Sequence, residues 1–526
     1  MIFTLAASFA PLDWMVLAVY MAAVIALGIF VGRKKRGGDE FFLAGRSMPM
    51  WAVSISVLAT SLSAATFIGG PQQAYTSNLT YLSATIGGII AIFIVAFGFL
   101  PAYYKQGVTT VYQLIGNTYG GTSQRCASAM FMLGRIFASG ARLFMVAIPF
   151  ALITFGDIEP NHLIASILII AIAASLYTMV GGIRAVIWTD VLQAIFLVVA
   201  VTAALIVLLN KIPLDFGEIL TVLGDTKVGD TNKLTVIDTS TDPSKWYTLW
   251  TALIGWTIFN VAAFGTDQDL AQRMLTCKSA KSASWSAILS HLIGWPITAL
   301  FLFLGLLLFI VYKRPDLMGS AAIVDNIDDT RKIFIEFIIH EMPAGLRGLM
   351  LAGLFAAAMS SLDSALNAMA STTITDFYRP LTTINGKQSE KAQQRELGLS
   401  RILIFVWALL LAGFACFCVY WQSASKKTLI DFALGVMTFA YSGLLAVFLT
   451  ALFTKRGNAV SVIAALCTGF ICILLMQGFA WKEWAPWFNI DIVKYTISMP
   501  WQMLIATSLS FAVCCVGRRS VNTSTT

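Results

Sequence analysis

Four polar side chains and one carboxylate fall within a single apolar stretch of the sequence: Ser360, Ser361, Ser364, Asn367 and Asp363. At helical spacing Ser360, Ser364 and Asn367 share one face, and Ala357 and Ser361 share the adjacent one. Hydroxyls grouped in this way, joined by backbone carbonyls at a helix break, offer a hard cation such as sodium a set of oxygen ligands. Their low fixed charge suits a site that must release its ion. Hydroxyls on a membrane helix are also common glue between helices. A carboxylate in the same turn argues for more, because it costs about 2.5–3.5 kcal/mol at membrane depth unless compensated.

A second carboxylate, Asp190, lies about one turn into another apolar stretch, after Gly181-Gly182-Ile183-Arg184. No Lys or Arg stands at helical spacing from it. An ion or the helix of Asp363 is its expected partner, with capping or interface anchoring the plainer alternative. Arg135 and Arg142 sit inside a third apolar stretch, on roughly the same face. Intramembrane arginine is expensive and usually has a task. Either one can meet an anionic solute; the alternatives are a salt bridge to a membrane carboxylate or snorkelling to the interface. His291 precedes Trp295-Pro296 and is either a pH sensor or a buried ring with one interhelical hydrogen bond. Covalent chemistry has no candidate. His162, His291 and His340 are far apart, and no His-Glu-x-x-His pattern occurs.

These groups need a membrane to hold them. Of 526 residues, 58% are hydrophobic and 12% charged, against roughly 25% charged in a soluble domain. Apolar runs of about 20 residues, enough to cross a bilayer, recur along the chain and give about thirteen spans. In order they are Trp14–Val31, Trp51–Ala74, Tyr81–Tyr104, Cys126–Thr154, His162–Met179, Val186–Leu209 and Leu249–Gln272. Ser284–Val311, Leu346–Phe377, Leu399–Tyr420, Ile430–Phe453, Val460–Gln477 and Met499–Val516 follow. The fold class expected is all-α transmembrane.

The net charge of +8 sits mainly in short loops, so it reads as topology charge and not as a nucleic-acid surface. With the N-terminus outside, Arg33 to Arg36, Arg46, Lys278, Lys281, Lys387, Lys391, Lys455, Arg456, Arg518 and Arg519 are cytoplasmic. The acidic turn Gly156–Pro160, the polar segment Asn210–Lys245 and the aromatic stretch Trp481–Trp487 then lie outside, and the tail Ser520–Thr526 inside. Lys313, Arg314, Lys426 and Lys427 are exceptions. The eight cysteines show neither metal-ligand spacing nor a secreted disulfide framework. With no basic segment before the first apolar run, no cleaved signal peptide is expected.

Two spans look broken. The second carries hydroxyls and glycines through Ser56–Pro71, and the seventh carries Asn260, Gly265, Thr266, Asp267 and Gln268 inside an apolar run. Each would begin a set of five helices, spans two to six and seven to eleven. Interrupted segments at matching positions of two halves mark an inverted-repeat transporter, with sites at the breaks. Two small-residue packing stripes would give a similar pattern.

Several of these blocks resemble the sodium:solute symporters. They are Asp39–Arg46, Ala59–Gly70, Gly181–Asp190, Thr266–Arg273, Ser360–Asn367 and Ser442–Leu449 followed by Lys455-Arg456, in family order over roughly residues 12 to 460. The resemblance implies a five-plus-five inverted-repeat fold of the leucine-transporter type, and sodium coupling. It would place one sodium site on the carbonyls of Ala59, Leu62 and Ala357 and the hydroxyls of Ser360 and Ser361. A second would pair Asp190 with Ser360 and Ser364, with Asp363 standing where sialic acid transporters carry Ser. Matching positions put Ser61, Ser63, Thr66, Thr85 and Asn260 in the solute pocket. Thr66 and Thr85 replace a Gln and a Glu of the sugar transporters, and Leu434 replaces a Gln. The arginine of the sialic acid transporters falls at Ala138, between Arg135 and Arg142.

The expectation is therefore a sodium-coupled symporter of a small organic solute, with a carboxylate such as sialic acid or a monocarboxylate favoured over a neutral sugar. Sodium is co-transported, and no organic cofactor, nucleic acid or enzymatic activity is expected. The chain divides into an extra helix and loop (1–50), two five-helix repeats (51–210 and 246–453) around an outer loop (211–245), and two further helices with a short tail (454–526). A bacterial inner membrane is the expected location. A proton-coupled permease of the same fold, using Asp190, Asp363 or His291, is the alternative. A membrane sensor would need a signalling domain that the short tail does not offer.

Overall fold

The computed structural model describes residues 9–32, 38–179, 182–319, 329–384, 387–388, 390–425, 427–477 and 497–519. The basic loop at 33–37, Gly181, the stretch Trp481–Trp487 and the tail Ser520–Thr526 lie outside the described residues. Among those described, nine helices are long and apolar enough to cross a membrane, one bent pair forms a further span, and three apolar helices are shorter. Together they occupy every one of the expected span positions. Helices dominate because backbone groups facing lipid can be satisfied only within their own segment.

The second span is a bent pair, Met50–Ser61 and Ala64–Thr76, meeting at 57°. Leu62 leaves the helix (φ −83°, ψ 82°) and Ser63 is extended, its hydroxyl accepting the Ala65 N–H to start the second half. The seventh span breaks at Asp267, which is extended (φ −85°, ψ 118°) between helices Thr257–Thr266 and Gln268–Leu275. Its carboxylate accepts the Asp269 N–H at 2.9 Å. A polar residue thus caps each restart, as a helix N-terminus requires. The expected breaks are present, and the fold is the all-α, leucine-transporter-type inverted repeat. Among the described residues three π turns, at Val95–Phe99 in the third span, Thr251–Trp256 at the start of the seventh and Thr373–Tyr378 after the ninth-span helix, have no signature in the sequence.

Small residues set the closest helix contacts. A Cβ on Gly87 of the third span (Thr80–Gln106) would lie 2.3 Å from the Ala252 carbonyl of the seventh. One on Gly305 of the eighth span (Ala280–Lys313) would lie 2.2 Å from the Pro71 carbonyl of the second. Both are backbone-to-backbone approaches that only glycine permits.

The first span (Pro11–Gly32) is fastened to the core through buried Asp13. Its carboxylate accepts the N–H groups of Gly345 (2.6 Å) and Gly348 (3.0 Å) at the start of the ninth span. In the 211–245 segment, helix Phe216–Asp225 and a short hairpin lead to Lys233. This buried lysine donates to the carbonyls of Ala74 (3.1 Å) and Tyr75 (2.7 Å), ending the second span, with its ammonium 4.2 Å from the Phe309 ring. Burial moves its pKa down to about 8.

Candidate functional site

The break in the second span exposes carbonyls. In a continuous helix the Ala59 carbonyl would take the Ser63 N–H and the Leu62 carbonyl the Thr66 N–H. Here Ser63 donates to Ser61 and Thr66 to Ser63, so neither N–H reaches its helical acceptor. On the ninth span (Leu346–Thr372), Ser361 donates to the Ala357 carbonyl at 3.2 Å, and Ser360 donates to Asp190 Oδ1 at 2.7 Å. Ala357, Ser360 and Ser361 are all buried.

Asp190, on the sixth span (Ile183–Lys211), has a cationic partner that sequence spacing did not reveal. Arg273, from the second half of the seventh span, places Nη2 3.2 Å from Oδ2 and Nε 2.9 Å from Ser56 Oγ. Ser56 in turn donates to the same Oδ2 at 2.5 Å. The helix of Asp363 does take part, through Ser360. Asp363 itself accepts from Thr178 of the fifth span (Pro160–Thr178) at 2.7 Å. No hydrogen bond joins it to Asp190, Ser360 or Ser364 among the described residues. Ser364 turns back to the Ser360 carbonyl at 2.6 Å, with Asp269 3.5 Å away.

The charges continue beyond Asp190. Arg273 Nη1 is 2.7 Å from Asp269 Oδ1. Asp269 Oδ2 is 2.7 Å from Arg135 Nη1, and Arg135 Nη2 is 2.6 Å from Asp267 Oδ2. Tyr441 donates to Asp267 at 2.6 Å. Two guanidinium groups and three carboxylates, all buried, therefore form one connected network with a formal excess of one negative charge. Buried pairs of this kind hold only because each charge is matched by others and by hydrogen bonds.

This network floors a cavity between the two broken spans. Arg135 and Tyr441 belong to both, and Ser61, Thr66, Thr85, Asn260, Arg142 and His291 line the walls with Tyr81, Trp256, Phe259 and Leu434. The cavity thus gathers every residue expected in the solute pocket except Ser63, whose hydroxyl is occupied as a helix cap. Thr85 donates to the Leu82 carbonyl and Asn260 to that of Trp256, leaving the Asn260 side-chain oxygen for a ligand. His291 packs edge-on to Phe264, with centroids 4.4 Å apart. No hydrogen bond joins its ring to the protein among the described residues.

The two arginines part company here. Arg135 is consumed by Asp267 and Asp269, the salt-bridge alternative. Arg142 approaches Met437 Sδ at 3.9 Å and has no carboxylate within 4.0 Å among the described residues. Opposite the floor, Tyr247 stacks on Trp256 and donates to Asp431. Below it, Tyr112 donates to the Thr266 carbonyl at 2.9 Å and Tyr103 to that of Gly265, holding the seventh-span break in place.

The sodium:solute symporter family profile matches residues 41–469. A sodium/sialic acid symporter of Proteus mirabilis is 28% identical over 473 residues, covering 89% of each chain. A human sodium-coupled monocarboxylate transporter 1 is 26% identical, covering 91% of this chain and 75% of its own. Among solved structures, a substrate-bound, outward-open sodium-coupled sialic acid symporter superposes with a TM-score of 0.78 at 24% identity, covering 97% of this chain and 98% of its own. A nucleobase-cation-symport-1 transporter in a closed conformation gives 0.54 at 14% identity, covering 90% and 93%. The profile spans most of the chain, and its relatives are transporters rather than enzymes: this protein belongs to the sodium:solute symporter family.

Proposed function

We propose that the protein couples sodium entry to uptake of a small organic carboxylate by alternating access. The observation that carries this reading is Arg142, a guanidinium lining the cavity with no carboxylate partner among the described residues, beside the neutral donors and acceptors of Thr66, Thr85 and Asn260. A planar guanidinium matches a carboxylate with two parallel hydrogen bonds. The relatives named for sialic acid and for monocarboxylates also handle carboxylates. Leu434 in the wall disfavours a fully hydroxylated neutral sugar.

Sodium is assigned to the carbonyls of Ala59, Leu62 and Ala357 and the hydroxyls of Ser360 and Ser361. The excess negative charge of the Asp190–Arg273 network beside Ser360 supports that position. Asp190 with Ser364 and Asp363 remains the candidate for a second ion, reached only after Asp363 leaves Thr178. The N-terminus is placed outside a bacterial inner membrane and the C-terminus in the cytoplasm, with the repeats at 51–210 and 246–453. The charge network then closes the cavity toward the cytoplasm. Sodium binding would fix the second-span break and complete the pocket; release of ion and solute requires the Arg273 contacts to part. Thermal stability of purified protein with sialic acids, monocarboxylates, sugars and amino acids, in sodium or potassium, tests this. A carboxylate that stabilises only in sodium is expected; a carboxylate indifferent to sodium would overturn the coupling.

A further inference from the structure

A second cleft of about 440 Å³ lies away from the solute cavity, between the first, fourth, fifth, sixth and ninth spans. Its walls are almost entirely apolar, with Met21, Ile25, Phe150, Phe355 and Leu362 prominent. Ile25 and Leu176, on its rim, are 42% and 59% exposed. In a membrane those surfaces meet lipid, so the cleft opens sideways into the hydrocarbon. Two polar side chains lie in it, Asp363 and Thr178, joined by the 2.7 Å hydrogen bond to Asp363 Oδ1.

Asp363 is 1% exposed and, among the described residues, no Arg, Lys or His pairs with it. Thr178 supplies one neutral donor to one of its two oxygens. Arg273, the nearby guanidinium, is spent on Asp190 and Asp269. A carboxylate at membrane depth, facing an apolar space without a cation, is the group such a cleft would most gain by neutralising. The complement is a positive charge carried on an apolar body.

We propose that this cleft is a membrane-accessible site for a lipophilic primary amine, whose ammonium binds Asp363 and whose chain lies along Met21, Ile25, Phe150 and Phe355. The inference goes beyond the transport reading and does not depend on which solute is carried. A hydrogen bond between charged partners adds about 1.5–3 kcal/mol, so the amine should bind about ten- to a hundredfold more tightly than an uncharged analogue of equal length.

The test uses the full chain in nanodiscs in potassium buffer, without sodium or solute, and follows thermal stability against dodecylamine and dodecanol. Dodecylamine should half-saturate at a concentration at least tenfold lower than dodecanol, and Asp363→Asn should remove that difference. Ile25→Trp, which fills the cleft and keeps the carboxylate, should weaken the amine and decides the matter if Asp363→Asn does not fold. Equal responses to amine and alcohol would mean an acyl-chain groove and overturn the proposal. So would an amine advantage over the alcohol that survives Asp363→Asn, or an amine affinity that Ile25→Trp leaves unchanged. Because neither sodium nor solute is present, failure of the symport reading would leave this result unchanged.

Discussion

Replacing Asp190 with Asn and Arg273 with Met should shift sodium affinity in opposite directions. Ser360 donates to Asp190 Oδ1 at 2.7 Å and is also a proposed ligand, so the carboxylate stands one hydroxyl away from the ion. At a separation of about 5 Å and an effective dielectric near 20, unit charges attract by about 3 kcal/mol. The Arg273 guanidinium, 3.2 Å from Oδ2, opposes that field. If it cancels about half, about 1.5 kcal/mol remains, and Asp190→Asn should raise the half-saturating sodium concentration about tenfold. Arg273→Met removes the opposing charge and should lower it. That variant also strips Asp190 and Asp269 of a buried partner, a loss of about 3–5 kcal/mol in stability. Sodium titration of solute binding on purified protein, with potassium holding ionic strength, reads both. Half-saturation unchanged within about twofold in a folded Asp190→Asn protein would refute the reasoning, as would shifts of the same sign in both variants.

Other consequences can be measured alongside. Ser361→Ala removes one proposed ligand and should raise the sodium requirement of uptake about tenfold, while solute affinity at saturating sodium stays put. Arg142→Gln should weaken a carboxylate solute by about ten- to a hundredfold and spare its uncharged amide, read by competition binding. Gly87→Leu places a side chain against the Ala252 carbonyl and should abolish recovery of folded protein, scored by size-exclusion after extraction. Lys233 is disfavoured as an ammonium in the fold, its pKa lying near 8 below the ordinary lysine value. The unfolded chain therefore binds more protons between about pH 8 and 10.4, and the stability of wild type relative to Lys233→Met should rise across that window. A flat difference would place Lys233 in water.

The breaks and the hydroxyl-rich face of the ninth span were legible because they violate local rules. Ser63 and Asp267 interrupt apolar runs with groups that cap helices, and Ser360 to Ser364 load one turn with oxygen. The partner of Asp190 was not legible, since Arg273 lies 83 residues away and only the fold brings them together. A signal was present: Asp267, Asp269 and Arg273 stand together in an apolar context, which puts a cation at membrane depth beside more than one carboxylate. Local spacing also left Arg135 and Arg142 equivalent. Their separation depends on the seventh-span break, which brings Asp267 and Asp269 to Arg135 and not to Arg142. The π turns and the Lys233 cap depend on tertiary contacts and left no mark in periodicity.

The backbone contacts at Gly87 and Gly305 bear on how such a protein can change over time. They join the third span to the seventh and the eighth to the second, so any side chain at either position separates two helices. Thr66, Thr85 and Leu434 face the cavity instead, and exchanging them alters the space between helices that stay together. Diversification of solute and maintenance of the moving machinery therefore draw on different residues. A lineage can explore new cargo by drift at the cavity wall while its helix pairings stay fixed.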